Sequence, residues 1–496
     1  MNQYANTGFP TFQWKAAFIT GMILTAFFLI VFGIMAKLAS SLLLTFLVYG
    51  ALLLINIAKQ KILREPLVLQ DFFLVGQVFR HPDLYIGYVG YLKVFAVAAL
   101  LSAGIGVPFI FENPYSLSFS GRAVLILTGC LIAVTVLLFF FWNEKTEKFQ
   151  SPKIDAMQNV VNYGLLGSFC FIAAKLMTDK FYEKRYSASP TVFKNQDQKR
   201  NSPAEHPHII LIQAESFIAP SRFLKNEEYC QFCMPTWHKL SQQFSCGLFR
   251  VPAWGANTMR TEFSVLTGKS NAEMGPHKYN PFLTMPEESC KIWSIPGHLK
   301  KEYGYETLAV HPFKKEFFGR DKTFPLLGFD EFVDESAFVG AEKRGHYISD
   351  KAVADYTADR LTMAQNPQFI FIITMEAHGP WNDNRLMPEM TNDPVYSHFS
   401  FLPESIRHYV YNLNGLDRMI ERLIDTSGAL DRPVVLGIYG DHPPMLPIFT
   451  ENEGIEDDTN FLIYASHNTL SPEKRVQQFV ESHEFGLLVS GFSGHI

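Results

Sequence analysis

The 496-residue sequence has little charge, few cysteines and no excess of basic residues. Charged residues make up 18% of the chain, whereas ordinary soluble domains carry about 25%. Six cysteines are too few for a small disulfide-based scaffold. With 43 basic and 48 acidic residues, the chain lacks the basic charge typical of nucleic-acid-binding proteins. Apolar residues are abundant instead, at 48% of the chain with 45 phenylalanines, which excludes intrinsic disorder.

The apolar residues are concentrated in the first 177 positions, where five runs of 18 to 21 residues carry no charge. Each run has about the length that a helix needs to cross the hydrocarbon core of a bilayer. The sequence therefore predicts a five-helix transmembrane domain over residues 1–178. The predicted spans are residues 16–36, 38–58, 94–111, 123–143 and 156–174.

Basic residues between the spans predict the orientation. The segments between spans two and three and between spans four and five hold eight lysines and arginines, whereas the opposite loops hold only Lys37 and Arg122. The positive-inside rule then places the N-terminus in the cytoplasm and the chain after about residue 180 outside the cell membrane. The run 156–174 contains two asparagines and has a re-entrant or interfacial helix as its alternative. Loss of that span would place the C-terminal part in the cytoplasm.

The remainder of the chain is predicted to be a polar linker over 179–207 and a catalytic α/β domain over 208–496. Short apolar runs alternate there with amphipathic stretches such as 403–425, a pattern typical of a mostly parallel sheet with helices on both faces. The predicted strands are residues 208–214, 306–311, 368–374, 433–439 and 460–464.

Acidic and histidine residues that could act in catalysis or bind a metal follow four of these strands. They are Glu215, His311, Glu376 with His378, and Asp441 with His442. Ligands bind at the carboxyl ends of strands in open α/β sheets, so we expect these side chains to surround one site. Two carboxylates and one imidazole, from Glu215, Asp441 and His442, suit zinc or manganese and leave one coordination position open.

Thr258 is the candidate nucleophile. It follows the loop sequence Trp-Gly-Ala-Asn and is predicted to open a helix, with Asn257 or Thr258 itself as the N-cap. A hydroxyl at a helix N-terminus and on a metal would have a lowered pKa, and phosphate binds favourably there. Taken alone, Thr258 would be only a capping residue.

These residues resemble the lipoteichoic acid synthase and phosphoglycerol transferase family of the alkaline phosphatase–sulfatase superfamily. In that family a strand ends in Glu-Ser, as at Glu215-Ser216, and a nucleophilic threonine lies four residues before Glu-Phe, as Thr258 does. A Gly-Asp-His, here ending in His442, supplies the last two ligands. The resemblance implies an alkaline-phosphatase-like (sulfatase-like) fold. It also implies a divalent metal, manganese before zinc or magnesium, bound by Glu215, Thr258, Asp441 and His442.

The resemblance also implies a pocket for the lipid headgroup. The family has a histidine followed by an aromatic residue and an arginine, and His311, Phe318 and Arg320 match that spacing, with phenylalanine where tryptophan is usual. A later pocket histidine matches His378. These four residues are the predicted substrate-binding set.

The implied function is transfer of glycerol phosphate in a bacterial inner membrane. Thr258 would take the headgroup from phosphatidylglycerol, and a cell-envelope glycan or polymer would accept it. A phosphoethanolamine transferase acting on a lipopolysaccharide or capsule sugar is the first alternative. A sulfatase is less favoured because the stretch from Cys233 to Trp237 lacks the arginine of the sulfatase motif, and a non-catalytic membrane binding protein would not need an intact ligand set.

Four cysteines fall in the predicted outer domain. An oxidising compartment favours one or two disulfides among Cys230, Cys233, Cys246 and Cys290. A zinc half-site at Cys230-x-x-Cys233 is the alternative.

Overall fold

The computed structural model describes residues 13–80, 108–145, 155–179, 187–190, 206–284, 292–382, 387–450, 458–466 and 479–492, with six single positions between 95 and 106. The chain divides into two compact units. The first comprises residues 1–180 with 275–279, and the second comprises 181–274 with 280–496. Most of the predicted linker 179–207 lies outside the described residues.

Among its described residues, the first unit contains four helices that are long and apolar enough to cross a membrane. They are Trp14–Met35, Leu38–Leu63, Phe119–Lys145 and Ala156–Thr178. Four of the five predicted spans therefore form the expected helices. Eight of the 18 residues of the predicted span 94–111 lie outside the described residues, so the count of five stays a prediction. Shorter elements of this unit are Leu69–Leu74, Val75–Arg80 and Gly275–Tyr279.

Two glycines allow these helices to pack closely. A Cβ at Gly129 would lie 2.7 Å from the carbonyl oxygen of Ala26 in the first helix. Gly164 has φ +75°, which breaks the helical geometry within Ala156–Thr178, and a Cβ there would overlap the Thr20 hydroxyl. Only glycine combines this backbone conformation with so close an approach. The predicted span 156–174 is thus a kinked helix.

The second unit is built on a sheet in which eight strands are described, in the order β10-β2-β9-β8-β1-β7-β3-β4. All of them run parallel except β9, which is antiparallel to β8 and β2. A separate two-stranded ribbon joins β5 and β6. The strands are β1 His208–Ala214, β2 Ser245–Arg250, β3 Glu306–Val310, β4 Glu331–Val333, β5 Lys343–Arg344, β6 Tyr347–Ile348, β7 Gln368–Ile373, β8 Val434–Gly440, β9 Thr459–Ala465 and β10 Phe479–Glu481.

The register of the three central strands positions the site. β1 lies between β7 and β8, with Gln213 opposite Ile373 and Ala214 opposite Gly440. Parallel strands in register end at the same edge of the sheet. The residues that follow β1, β7 and β8 are therefore neighbours in space, as the sequence predicted.

Helices cover both faces of this sheet, as predicted. Leu436 and Ile438 of β8 face the core that includes the helix Glu404–Ala429. Gly437 points the other way, because side chains alternate along a strand, and a Cβ there would contact Val489 in the helix Ser482–Phe492. The other described helices are Glu227–Cys233, Pro235–Gln243, Thr258–Thr267, Asn271–Met274, Pro281–Thr284, Ile295–Tyr303, Arg320–Leu326, Asp350–Met363, Pro388–Thr391, Pro394–His398 and Pro447–Thr450, with short 3-10 turns at Pro220–Arg222, Phe317–Gly319 and Glu335–Phe338.

Candidate metal centre and active site

Glu215, Asp441 and His442 meet at the carboxyl ends of β1 and β8. Their ligand atoms all lie within 4.8 Å of one another, and all three residues are buried. His442 Nε2 is 3.6 Å from Glu215 Oε1 and 3.3 Å from Asp441 Oδ2. The two strands thus bring Glu215 next to Asp441 and His442, from which it is separated by more than 220 positions in the sequence.

Backbone hydrogen bonds fix the orientation of Asp441. Its Oδ1 accepts from the amide of Ser216 at 2.7 Å and from the amide of His442 at 2.8 Å. Its Oδ2 is buried and has no hydrogen-bond partner among the described residues. A buried carboxylate oxygen without a partner is costly unless a cation or donor satisfies it. This oxygen and His442 Nε2 face the same small space, so the donor set fits a divalent cation.

The electrostatics of the three residues support that fit. Burial raises the pKa of Asp441 to about 7, with a further contribution from the nearby Glu215 carboxylate. Burial alone would lower the pKa of His442, but Asp441 and Glu215 outweigh it, and the net direction is upward. Two carboxylates buried side by side repel each other. A bound cation would remove this repulsion.

Thr258 lies beside the same cluster. It is the first residue of the helix Thr258–Thr267, and its hydroxyl interacts with the Asp441 carboxylate, which lowers the pKa of that carboxyl. One turn later, the Thr261 hydroxyl donates to the Asp441 carbonyl oxygen at 2.8 Å. Asn257 occupies the N-cap position, but its backbone is left-handed (φ +67°) and its side chain makes no capping bond. The predicted side-chain cap by Asn257 is therefore absent.

Arg320 is held by a carboxylate that the sequence analysis did not assign to the site. Its Nε donates to Glu262 Oε1 at 3.0 Å and its Nη2 donates to Glu262 Oε2 at 2.8 Å, with both side chains almost fully buried. Its Nη1 has no hydrogen-bond partner in the described part of the chain. Phe318 lies under the guanidinium at 5.3 Å from ring centroid to Cζ. In the sequence, the feature that could have assigned Glu262 to the site was its position one helical turn after Thr258.

His311 is a neutral imidazole with one nitrogen available to a ligand. Burial first, and then the charge of Arg320, holds the pKa of His311 well below its usual range. Its Nδ1 lies 3.0 Å from the Ile373 carbonyl oxygen. A carbonyl can only accept, so Nδ1 carries the proton and Nε2 has a free lone pair. His378 also lowers the pKa of His311, and it is half-buried with Nδ1 2.7 Å from the carbonyl oxygen of Gly379.

The predicted disulfides are not formed at Cys230 and Cys233, which are both free thiols. Cys230 Sγ donates to the Leu224 carbonyl oxygen at 3.5 Å, and Cys233 is completely buried in the apolar core. Burial raises the pKa of both thiols, which favours the inert protonated form. The zinc half-site is equally unsupported, because no metal-ligand cluster among the described residues includes them. Cys290 lies outside the described residues.

Comparison with known proteins places this architecture in a family. The sequence profile of the sulfatase family matches residues 207–489, more than half of the chain. The capsular polysaccharide biosynthesis protein RkpI of Rhizobium meliloti (strain 1021) is 29% identical over 412 residues, which is 80% of this chain and 72% of RkpI. A putative cyclic beta-1,2-glucan modification protein of the same strain is 29% identical over 251 residues, 49% of this chain and 37% of that protein.

The chain is also similar to a solved structure. The phosphoglycerol transferase GacH of Streptococcus pyogenes, in complex with sn-glycerol-1-phosphate, is 22% identical, with a TM-score of 0.46 over 64% of this chain and 80% of that chain. The match to the sulfatase family profile confirms the expected family at that level. The matched profile spans every described strand of the sheet and the cluster of Glu215, Asp441 and His442, and the chain belongs to the sulfatase family.

Proposed function

We propose that the protein is a membrane-anchored, metal-dependent phosphotransferase that moves glycerol phosphate from phosphatidylglycerol to a cell-envelope glycan or polymer. The observation that carries this proposal is the position of Thr258, a helix N-terminal hydroxyl beside the buried Asp441 carboxylate. A hydroxyl adjoining a buried set of two carboxylates and one imidazole is the arrangement needed for a metal-activated nucleophile.

Glu215, Asp441 and His442 would hold the metal together with the Thr258 oxygen. A bound divalent cation, manganese before zinc, would favour the ionised hydroxyl and neutralise charge on a phosphoryl oxygen. In the first step Thr258 Oγ forms a bond to phosphorus, and the bond from phosphorus to the diacylglycerol oxygen breaks. That oxygen leaves as diacylglycerol with a proton, which balances the proton that the Thr258 hydroxyl loses. The acceptor oxygen then forms a bond to phosphorus while the bond from phosphorus to Thr258 Oγ breaks. The proton lost by the acceptor hydroxyl balances the proton that Thr258 Oγ regains.

Each of the predicted substrate-binding residues has a role in this reaction. The unpartnered Nη1 of Arg320 can donate to a phosphate oxygen or a glycerol hydroxyl. His311 Nε2, unprotonated because the imidazole is neutral, can accept a proton or a hydroxyl hydrogen bond. Phe318, packed under the guanidinium, would limit the orientations of Arg320. His378 would face the same headgroup.

The membrane helices fit a lipid donor, because anchoring keeps the enzyme at the surface where the donor resides. The distribution of basic residues supports a cytoplasmic N-terminus and an extracytoplasmic catalytic domain. RkpI acts in capsular polysaccharide biosynthesis by its name, which supports a glycan as acceptor.

The test is diacylglycerol release by the purified full-length protein with manganese and either labelled phosphatidylglycerol or labelled phosphatidylethanolamine. We expect release from phosphatidylglycerol, abolished in Thr258→Ala and retained in the control Thr362→Ala, whose hydroxyl donates only within its own helix at 2.8 Å. If diacylglycerol is released only from phosphatidylethanolamine, the transferred group is ethanolamine phosphate and not glycerol phosphate. Undiminished release by Thr258→Ala would refute the assignment of the nucleophile.

A further inference from the structure

A chain of hydrogen bonds between buried side chains ends at Arg320. The Tyr439 hydroxyl donates to Gln213 Oε1 at 2.7 Å, and Gln213 Nε2 donates to Glu262 Oε2 at 3.3 Å. The same Glu262 oxygen accepts from Arg320 Nη2 at 2.8 Å. None of the four side chains is more than 1% exposed. The proposed reaction gives a role to Arg320 but none to Gln213 or Tyr439.

The direction of each hydrogen bond follows from the groups at its two ends. The Glu262 carboxylate, paired with the Arg320 guanidinium, can only accept. The Gln213 amide must therefore turn its NH₂ group towards Glu262 and its carbonyl oxygen towards Tyr439. The Tyr439 hydroxyl is then the donor to that oxygen. The opposite orientation of the Gln213 amide would place its oxygen against the carboxylate, so the chain has one arrangement.

The chain begins on the two strands that lead to the proposed metal ligands. Gln213 lies on β1, two positions before Glu215, and Tyr439 lies on β8, two positions before Asp441. The two residues are directly opposite each other in the register of β1 and β8. The hydrogen bonds thus connect Arg320 to the ends of both strands that carry the metal cluster.

Glu262 holds one edge of the Arg320 guanidinium and leaves another edge free. Its carboxylate accepts from Nε at 3.0 Å and from Nη2 at 2.8 Å. Nη1 is buried and has no hydrogen-bond partner among the described residues. Because a guanidinium is planar and rigid, fixing the edge formed by Nε and Nη2 also fixes the direction of Nη1. The donor from Gln213 in turn restrains the carboxylate that sets this direction.

We propose that Gln213 and Tyr439 are positioning residues that, through Glu262, hold Arg320 Nη1 at a fixed place relative to the metal cluster, where it donates to a phosphate oxygen of the donor lipid. This inference rests on the proposed function. A donor that is held in place before its ligand arrives binds more tightly, because no side chain has to be ordered on binding. Loss of either hydrogen bond should therefore weaken phosphate binding and leave the affinity for the metal unchanged.

Binding of glycerol phosphate measures this role without turnover. Full-length Thr258→Ala protein in detergent is titrated by calorimetry with manganese, and the manganese-loaded protein is then titrated with sn-glycerol-1-phosphate. We expect Tyr439→Phe to weaken binding of sn-glycerol-1-phosphate at least threefold and Gln213→Leu at least tenfold, with manganese affinity within twofold of the parent. The matched control is Tyr305→Phe. The buried Tyr305 hydroxyl donates to the Pro207 carbonyl oxygen at 2.8 Å, at the amino ends of the strands, so neither affinity should change.

Two results of this titration would overturn the proposal. One is unchanged binding of sn-glycerol-1-phosphate in Tyr439→Phe, and the other is an equal loss of manganese affinity, which would mean that the whole site is disturbed. The thermal midpoint is measured on each preparation to confirm folding. If Gln213→Leu does not fold, Tyr439→Phe decides by the same criteria, because it lacks only a single oxygen atom.

Steady-state kinetics separate this inference from the proposed function. The initial rate of diacylglycerol release is measured against phosphatidylglycerol concentration in otherwise wild-type protein. A positioning role predicts that Tyr439→Phe raises KM at least threefold and lowers kcat by a smaller factor, whereas partial unfolding lowers kcat at unchanged KM. Unchanged KM contradicts the inference alone. If sn-glycerol-1-phosphate binds but the wild-type protein releases no diacylglycerol, the proposed function fails and the titration still decides the positioning role. If the parent protein does not bind sn-glycerol-1-phosphate, both are refuted.

Discussion

Replacement of Glu262 by glutamine should destabilise the protein strongly, although no atom is deleted. Glu262 is fully buried and accepts from Arg320 Nε at 3.0 Å, from Arg320 Nη2 at 2.8 Å and from Gln213 Nε2 at 3.3 Å. Glu262→Gln removes the charge that balances the guanidinium and turns one acceptor into a donor facing other donors. Breaking one side of a buried ion pair costs about 3–5 kcal/mol. At roughly 2 °C per kcal/mol for a domain of this size, the thermal midpoint should fall by about 6–10 °C.

The assay is thermal unfolding of the full-length protein in detergent, with an exposed ion pair as the control. Lys351 and Asp355 are 2.7 Å apart, and their side chains are 48% and 40% exposed. Lys351→Gln should therefore cost less than about 1 kcal/mol. A double replacement, Glu262→Met with Arg320→Met, should recover part of the stability lost by Glu262→Gln, because no charge is then left unpaired. If Glu262→Gln lowers the thermal midpoint no more than Lys351→Gln does, the buried ion pair of Glu262 and Arg320 does not stabilise the fold.

Metal removal should make stability depend on pH. Burial raises the pKa of Asp441 from 3.8 to about 7, so the metal-free folded state retains a proton that the unfolded chain loses, and stability falls as pH rises from about 4 to 7. The midpoint difference between manganese-loaded and chelated protein should be larger at pH 8 than at pH 5; an equal difference contradicts the clustered carboxylates. Gly440→Ala should abolish metal binding, measured by calorimetry, because a Cβ at this last residue of β8 would overlap the carbonyl oxygen of Phe217, which follows β1. Gly428→Ala places its Cβ in open space and should be neutral or stabilising by up to about 1 kcal/mol. Alkylation in denaturant without reductant should modify Cys230 and Cys233, as detected by peptide mass spectrometry. Protection of both thiols from alkylation would show that they form a disulfide after all.

The central sheet was largely predictable because its inner strands are long apolar runs. All five predicted strands are observed, with ends within one residue of the expected positions. β4 and β10 were not predicted because each has only three residues, too few for a periodic pattern. β2 was also missed, since Ser245–Arg250 mixes polar, glycine and apolar residues and is half-exposed at several positions. Such a strand is defined by its pairing with β9 and not by its own sequence.

The proximity of Glu215, Asp441 and His442 was predictable for a topological reason, and the surrounding contacts were not. Glu215 and Asp441 follow strands that must end at the same edge of a parallel sheet. The partner of Arg320 could not be read in this way, because Glu262 is 58 positions away and lies on a helix. The disulfide prediction failed because it used the compartment alone. Cys233 points into the apolar core, a direction that only the three-dimensional packing determines.

In the proposed reaction, Thr258 carries the transferred group. The most direct measurement is peptide mass spectrometry of the full-length protein after incubation with manganese and phosphatidylglycerol in the absence of acceptor, followed by rapid acid quenching. We expect glycerol phosphate on the peptide that contains Thr258, at the threonine that opens the helix beside Asp441. An unmodified Thr258 peptide in protein that releases diacylglycerol, or a modification on another residue, would contradict it.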